Sequence, residues 1–177
     1  MTPSFPPKPA VFLDRDGVLN RDVGYPHLET HLELVPGAGQ AVGYLNALGF
    51  FTVIVTNQSG VARGLFSLEQ MNAFNALVVR RLAEAGGVID AVYACPYHEL
   101  ASDPRWLHPD HPDRKPNPGM ILKAASEQGL ALDRSFLIGD RNSDIEAARR
   151  AGMPGYLFEG PDLFDFVRGL DLEAVRG

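Results

Sequence analysis

The chain has 177 residues, of which 45% are apolar and 21% are charged, as in a globular protein that buries one core. A net charge of −6 argues against a nucleic-acid partner, and no apolar run approaches the roughly 20 residues that a membrane helix requires. The single cysteine, Cys95, excludes an intramolecular disulfide framework.

We expect one domain over residues 1–177, with a Pro-rich lead-in over 1–9 and a long loop over 95–118. The lead-in lacks the apolar centre of a secretory signal, and one cysteine agrees with a reducing compartment. These features predict a cytoplasmic protein, which we expect to be a monomer without a nucleic-acid or membrane partner.

Strands and helices alternate along the sequence. The apolar run 11–13 predicts a first strand, residues 36–37 open a helix that ends at Gly49, and residues 50–56 predict a second, buried strand. Ser67 and Gln70 form a capping box at the start of a long helix that ends near 86–87. The remaining predicted elements are a strand over 88–94, a helix over 120–128, a strand over 135–139, a helix over 144–151, a short strand over 155–158 and a helix from about 163.

This alternation predicts an α/β fold, because crossovers between parallel strands are right-handed and place helices on both faces of the sheet. The fold class is therefore a doubly wound, mainly parallel sheet, which is a Rossmann-like architecture. In such a sheet, ligands bind at the carboxyl ends of the strands.

Two carboxylates follow the first predicted strand. Asp14 and Asp16 are two residues apart in extended chain, so their side chains can point the same way while Arg15 points elsewhere. Gly17 lets the backbone turn tightly behind them. Two carboxylates in one site repel each other, which indicates either a metal site or a nucleophile beside a proton carrier. A strand-end turn with a solvated acid is the alternative.

Other strand ends carry polar residues that suit phosphate. Residues 56–60 follow the second strand, Asp140 and Asp144 follow the fourth, and the long loop ends with Arg114 and Lys115. A hydroxyl and backbone amides suit phosphate oxygens, a lysine supplies a point charge, and carboxylates can hold Mg²⁺. Together these residues predict phosphoryl transfer on a small phosphorylated metabolite.

The chemistry follows from the two acids of the first strand. Asp14 would attack phosphorus to form an aspartyl-phosphate, and Asp16 would protonate the leaving oxygen and later deprotonate the hydrolytic water. Mg²⁺ and Lys115 would neutralise the phosphoryl oxygens, which otherwise repel an anionic nucleophile.

The segments 12–17, 55–57, 115 and 139–144 resemble, in order, the four motifs of the haloacid dehalogenase superfamily of phosphatases. The resemblance spans nearly the whole chain. Segments 13–17, 24–25, 56–64, 95–96 and 114–119 are similar to the branch that contains D-glycero-D-manno-heptose 1,7-bisphosphate phosphatases and histidinol-phosphate phosphatases. Members of that branch have little or no cap domain, so the resemblance implies a minimal cap.

The resemblance also implies residue roles. Asp14 is then the nucleophile, Asp16 is the general acid and base, and Thr56 and Lys115 complete the catalytic set. The implied Mg²⁺ ligands are Asp14, the Asp16 backbone carbonyl and Asp140, with Asp144 as support behind them. The implied substrate-binding residues are Asp22, Val23, Gly24, Tyr25, Thr56, Asn57, Gln58, Ser59, Arg114, Lys115 and Arg141. At the position of Arg141 the branch typically has lysine, so the charge is kept with a different geometry.

A structural zinc site is a further implication. Many relatives carry Cys-x-His and a later Cys-x-Cys in the loop, whereas this chain keeps only the first cysteine. Cys95, His98 and His111 predict a modified site with a fourth ligand from His108, Asp110 or Asp113. The alternative is a zinc-free loop stiffened by its prolines, with histidines in ordinary hydrogen bonds.

Three functions remain open at this point. The leading one is a Mg²⁺-dependent phosphatase acting on heptose 1,7-bisphosphate, and the second is a histidinol-phosphate phosphatase with the same chemistry. The non-enzyme alternative is a phospho-acceptor signalling domain, which normally carries adjacent acids on its first strand and its phosphorylated aspartate on a later one. The D-x-D spacing of Asp14 and Asp16 favours a phosphatase, that is, a phosphoric monoester hydrolase.

Overall fold

A computed structural model describes residues 6–172 and 175. Within that part of the chain, one parallel sheet has the strand order β3-β2-β1-β4-β5. The strands are β1 (Ala10–Leu13), β2 (Phe51–Asn57), β3 (Ala91–Cys95), β4 (Phe136–Gly139) and β5 (Gly155–Leu157). This arrangement confirms the predicted α/β fold with a parallel sheet, and it places β1 at the centre.

Helices cover both faces of this sheet. They are α1 (Ala38–Ala47), α2 (Leu68–Glu84), α3 (Gly119–Gln128), α4 (Asn142–Arg150) and α5 (Leu163–Arg168), with 3₁₀ turns at Glu29–His31, Pro104–Trp106 and Leu132–Arg134. No helix in the described part of the chain is both long and apolar enough to cross a membrane.

Strand β1 divides the core into two layers. Val11 and Leu13 pack in the layer that contains the apolar residues of α1, α2 and α5. Ala10 and Phe12 face the opposite layer, with α3 and α4. All four residues are completely buried, because side chains alternate along a strand and both faces here are covered. The carboxyl end of β1 is therefore held firmly from both sides.

Side-chain hydrogen bonds decide several element boundaries. The predicted capping box is present, because Ser67 Oγ accepts from Gln70 N at 3.1 Å and Gln70 Oε1 accepts from Ser67 N at 2.8 Å. Strand β3 was predicted from residue 88 but begins at Ala91. Val88 is instead held by Asn46, which accepts from its N–H at 2.9 Å and donates to its carbonyl at 3.1 Å. These bonds replace the sheet pairing that the apolar pattern predicted.

The segment between β3 and α3 is packed by its own aromatic rings. Tyr97 stacks on His111 with ring centroids 3.9 Å apart, and its edge meets Trp106 at 5.4 Å. This packing orders the long loop and returns its end, residues 114–115, to the carboxyl edge of the sheet.

Candidate active site

The carboxyl ends of β1, β2 and β4 open into one cavity of about 440 Å³. Most of the predicted catalytic and substrate residues line it. The lining residues are Asp14, Asp16, Asp22, Gly24, Tyr25, Thr56, Asn57, Gln58, Ser59, Arg114, Lys115, Arg141, Ser143 and Asp144. Ser143 was not among the predicted site residues. Val23, which was, lines a neighbouring cavity with Val35 and Phe158.

Lys115 joins two carboxylates at the floor of the cavity. Its ammonium lies 2.9 Å from Asp14 Oδ1 and 2.6 Å from Asp144 Oδ1, and it donates to the Val55 carbonyl at 2.8 Å. An ammonium has three N–H donors, so each has an acceptor. Only 4% of Lys115 is exposed. The charge is therefore held at one point beside Asp14.

The end of β2 positions the backbone of this lysine. Asn57 Nδ2 donates to the Lys115 carbonyl and Asn57 Oδ1 accepts from the Lys115 N–H, both at 3.0 Å. The loop residue is thus fixed to the sheet although 58 residues of sequence separate the two.

The charges in this cluster do not balance. Burial raises the pKa of Asp14 to about 7, against the attraction of Lys115 and with a further rise from Asp144. Burial alone would lower the pKa of Lys115, but Asp14 and Asp144 together raise it. Burial, followed by the charge of Asp144, also raises the pKa of Asp140. Three carboxylates face one ammonium, so the site lacks positive charge.

The three carboxylates fit a divalent cation. Asp14, Asp140 and Asp144 each offer an oxygen within 4.8 Å of the others, and they form the single group of this kind among the residues described. Asp140 Oδ1 is buried without a hydrogen-bond partner, which is costly unless a ligand occupies it. Carboxylate oxygens are the hard ligands that Mg²⁺ prefers.

Asp144 differs from the other two carboxylates. Its Oδ1 pairs with Lys115, and its Oδ2 accepts from the Arg141 N–H at 3.1 Å. Both oxygens are engaged, so the geometry favours Asp14 and Asp140 as direct ligands and Asp144 as support. Gly17 lies close to Asp140: a Cβ at Gly17 would collide with the Asp140 carboxylate, and its φ of 86° also favours glycine.

Asp16 lies in a ring of hydrogen-bond donors. Arg15 donates to it through Nε at 2.9 Å and Nη2 at 3.0 Å, while Asn20 Nδ2 and Gln58 Nε2 each donate at 3.0 Å. The prediction that Arg15 points elsewhere is wrong for its guanidinium, because the long side chain turns back to the carboxylate of the next residue. Sequence reasoning also missed Asn20, since no spacing rule identifies it.

Two further cations line the mouth of the cavity, where they are more exposed than Lys115. Arg141 Nη2 lies 3.0 Å from Asp22 Oδ2, and Arg114 Nη1 donates to the Tyr97 carbonyl at 3.3 Å. Asp22 Oδ1 also accepts from the Gly24 N–H at 3.0 Å, which holds the turn. Tyr25 follows with a φ of 53°, a left-handed conformation that persists in non-glycine residues only where the surroundings hold it.

Comparison with known proteins decides the family. The HAD-hydrolase-like family model matches residues 113–160. A D-glycero-beta-D-manno-heptose-1,7-bisphosphate 7-phosphatase from Rhodopseudomonas palustris is 45% identical over 177 residues, which cover 99% of this chain and 97% of the relative. The chain belongs to the haloacid dehalogenase superfamily, in its heptose bisphosphate phosphatase branch. It is a phosphatase, a phosphoric monoester hydrolase.

Solved structures agree with this family. A HAD-like phosphatase from Mesorhizobium loti has a TM-score of 0.85 at 37% identity, covering 97% of this chain and 87% of that one. The D,D-heptose 1,7-bisphosphate phosphatase from B. bronchiseptica, complexed with magnesium and phosphate, has a TM-score of 0.73 at 33% identity, covering 90% and 85%. The predicted superfamily and branch are confirmed.

The phosphatase does not bring the three predicted zinc ligands together. Cys95 Sγ lies 4.0 Å from His111 Nδ1, but that nitrogen also accepts from the Asp113 N–H at 3.1 Å. His98 Nδ1 accepts from the Leu100 N–H at 2.9 Å, and its Nε2 lies 3.2 Å from Arg63 Nη2.

Local partners lie within hydrogen-bond distance of both ring nitrogens of His98 and of His111 Nδ1. Among the residues that the structure describes, Cys95, His98 and His111 do not form a group that could hold a metal ion. The geometry therefore does not support the zinc prediction.

Proposed function

We propose that this phosphatase removes the 7-phosphate of D-glycero-D-manno-heptose 1,7-bisphosphate in a Mg²⁺-dependent reaction. The observation that carries the proposal is the buried contact of Lys115 with Asp14, beneath a cavity that has further cations at its mouth. The activity of the R. palustris relative supports the substrate, and the magnesium and phosphate of the B. bronchiseptica structure support the cofactor.

Asp14 acts as the nucleophile in this mechanism. Its carboxylate oxygen forms a bond to phosphorus while the bond from phosphorus to the sugar oxygen breaks, which leaves an aspartyl-phosphate. Lys115 keeps its charge beside the phosphoryl oxygens, which would otherwise repel the anionic nucleophile. Asp144 holds Lys115 from the other side.

Asp16 moves the protons. It gives one to the departing sugar oxygen, and it then takes one from the water that attacks the aspartyl-phosphate, so free phosphate and Asp14 are restored. Thr56 and the loop of Asn57, Gln58 and Ser59 provide polar groups along the cavity wall for the phosphoryl oxygens.

Mg²⁺ fits the carboxylate cluster. Asp14, Asp140 and the Asp16 backbone carbonyl are the residues that we propose hold it. When bound, the ion supplies positive charge that offsets the charge of the carboxylates and of the phosphoryl group.

The cations at the mouth favour a substrate with two phosphates. Arg114 and Arg141 lie beyond Lys115, and the planar guanidinium of arginine matches phosphate oxygens with two hydrogen bonds. Histidinol phosphate carries an ammonium group and would prefer a free carboxylate. Asp22 is a carboxylate of the cavity, but it is paired with Arg141 at 3.0 Å, so a second phosphate would bind Arg114 directly and would compete with Asp22 for Arg141. The phospho-acceptor signalling alternative has no support from these relatives.

The test compares kcat/KM for the heptose bisphosphate, its two monophosphates and histidinol phosphate. We expect the highest kcat/KM for the bisphosphate. Arg114→Ala and Arg141→Ala should lower kcat/KM for the bisphosphate by a larger factor than kcat/KM for either monophosphate. Arg81→Ala serves as control, because Arg81 lies on α2 in exposed ion pairs with Glu29 and Glu84. Faster turnover of histidinol phosphate would remove the heptose assignment and leave the phosphatase mechanism intact.

We also propose that the chain is one phosphatase domain that acts as a monomer in the cytoplasm. Its single cysteine supports the compartment. Sedimentation of the purified enzyme at working concentration tests the oligomeric state, and a dimer would contradict the proposal.

A further inference from the structure

The Asp16 carboxylate has every position filled. Oδ1 accepts from Arg15 Nε and Asn20 Nδ2, and Oδ2 accepts from Arg15 Nη2 and Gln58 Nε2, all between 2.9 and 3.0 Å. A carboxylate has about four lone-pair positions. Two of its four donors belong to one guanidinium, so the plane of the carboxylate is aligned with the plane of the Arg15 fork.

Arg15 is fixed in turn by residues that do not line the active-site cavity. It is completely buried. Its Nη1 donates to Asn75 Oδ1 at 2.6 Å, and the guanidinium carbon lies 4.7 Å from the centre of the Phe74 ring. Asn75 and Phe74 both lie on α2 and are both buried. A buried charge needs a partner for each of its donors, and α2 supplies the partner of Nη1.

Arg15 also reaches the loop that leads away from the cavity. Its Nη2 donates to the Pro26 carbonyl at 3.3 Å, directly after Tyr25 at the mouth. One side chain therefore connects Asp16, helix α2 and the entrance loop.

We propose that Arg15 is the positioning residue of the proton carrier, and that Asn75 of α2 holds Arg15 in place. The inference rests on the proposed role of Asp16 as general acid and base. When Asp16 gives its proton to the departing sugar oxygen, negative charge develops on a carboxylate that the Arg15 fork already faces. Donors that are aligned before the reaction stabilise such charge without reorganisation. Before that step the Gln58 amide, which lines the cavity, must leave Oδ2, so that Oδ2 can carry the proton to the leaving atom. The Arg15 fork meanwhile keeps the plane of the carboxylate fixed.

A leaving-group comparison separates positioning from mere structural support. Arg15→Lys keeps the charge but loses the planar fork. A sugar phosphate has an alkoxide leaving group that needs a proton, whereas p-nitrophenyl phosphate has a stable phenolate leaving group that does not. Since kcat/KM reports the steps up to release of the leaving group, we expect Arg15→Lys to lose about 10²-fold on the sugar phosphate and only a few-fold on p-nitrophenyl phosphate.

Asp16→Asn is the reference for this pattern. It should lower kcat/KM more for the sugar phosphate than for p-nitrophenyl phosphate, and by a larger factor than Arg15→Lys does. The double variant Arg15→Lys/Asp16→Asn should have the same kcat/KM for the sugar phosphate as Asp16→Asn alone, because the effects of residues that act as one unit do not add. Additive losses in the double variant would overturn the proposal.

A second variant keeps the test decisive if Arg15→Lys does not fold. Asn75→Ala removes the acceptor of Arg15 Nη1 and changes no residue that lines the active-site cavity. We therefore expect a smaller loss of kcat/KM than in Arg15→Lys, again larger for the sugar phosphate than for p-nitrophenyl phosphate. Asn72→Ala, one turn earlier on α2 and exposed, is the matched control and should leave kcat/KM for both substrates unchanged.

Two outcomes separate this proposal from the one on which it rests. The positioning role alone would be overturned if Arg15→Lys or Asn75→Ala lowered kcat/KM equally for both substrates while Asp16→Asn still lowered it more for the sugar phosphate. If Asp16→Asn itself shows no selectivity, the assignment of Asp16 is wrong and the role of Arg15 is wrong with it.

Discussion

Asn57 joins β2 to the backbone of Lys115 through two hydrogen bonds of 3.0 Å. The same arrangement occurs where Asn46 of α1 holds Val88, with bonds of 2.9 and 3.1 Å. Neither Asn46 nor Val88 lines the active-site cavity, while Asn57 and Lys115 do. The protein therefore contains two similar amide bridges, of which one carries the lysine of the site and one does not.

We predict that Asn57→Ala and Asn46→Ala cost similar stability but differ in activity. Each removes two hydrogen bonds to backbone, a loss of about 1 to 2 kcal/mol. Only Asn57→Ala releases Lys115, so only it should lower kcat/KM, by about 10- to 100-fold. Chemical denaturation and steady-state kinetics measure the two effects. A comparable loss of activity in Asn46→Ala would mean that the effect is global.

Asp14→Asn should fold and lose nearly all turnover, because an amide cannot form the aspartyl-phosphate. Mass spectrometry of acid-quenched enzyme should find the phosphorylated species in the wild type and none in the variant. Asp133→Asn, an exposed acid in a 3₁₀ turn, is the control and should keep full activity. Turnover near the wild-type rate in Asp14→Asn would rule out covalent catalysis.

Asp140→Asn should stabilise the metal-free protein and remove its response to Mg²⁺. Asp140 has a buried oxygen without a hydrogen-bond partner, and burial, followed by the charge of Asp144, raises its pKa. Removing that charge relieves repulsion, so in EDTA we expect Tm to rise by about 2 to 4 °C.

Asp144→Asn should change the stability of the metal-free protein in the opposite direction. It takes a charged partner from Lys115 and should lower Tm in EDTA. Calorimetric titration with Mg²⁺ completes the experiment, and undiminished affinity in Asp140→Asn would place the ligand elsewhere.

The contribution of Asp14 to the stability of the metal-free protein should fall as the pH rises from about 4 to about 7. Burial raises the pKa of Asp14 from 3.8 to about 7, so in this window the folded state binds a proton that the unfolded state has lost. Stability falls with pH wherever the folded state holds more protons. Urea denaturation in EDTA at several pH values measures the slope. Because burial lowers the pKa of His98 and of His111, those residues raise stability over the same window, and the contribution of Asp14 is the difference between the wild-type and Asp14→Asn curves. Equal slopes in the two proteins would show that Asp14 is ionised throughout.

The purified enzyme should contain no stoichiometric zinc. The His111 nitrogen that lies 4.0 Å from Cys95 Sγ also accepts from the Asp113 N–H, and both ring nitrogens of His98 lie within hydrogen-bond distance of local partners. Elemental analysis of protein prepared without chelator measures the metal, and Cys95→Ala should keep its activity. One zinc per chain, lost together with activity in Cys95→Ala, would restore the zinc prediction.

Local patterns in the sequence determined the architecture and the centre of the site. The apolar run of β1, the capping box at Ser67 and the alternation of strand and helix periods are visible within a few residues, and these predicted the parallel sheet. Because parallel strands share one carboxyl edge, the same patterns predicted that Asp14, Thr56 and Asp140 would lie together, and the family resemblance added Lys115 from the long loop. The motifs around them were enough to predict the superfamily and the branch.

Tertiary structure alone decided how the side chains of the site are held. Arg15 meets Asn75 across 60 residues of sequence, and Asn57 meets Lys115 across 58. Likewise, His98 Nε2 meets Arg63 across 35 residues of sequence instead of a metal. A long polar side chain takes the rotamer that satisfies its donors and acceptors in the folded chain, and those partners are set by packing between elements distant in sequence. No local spacing contains that information.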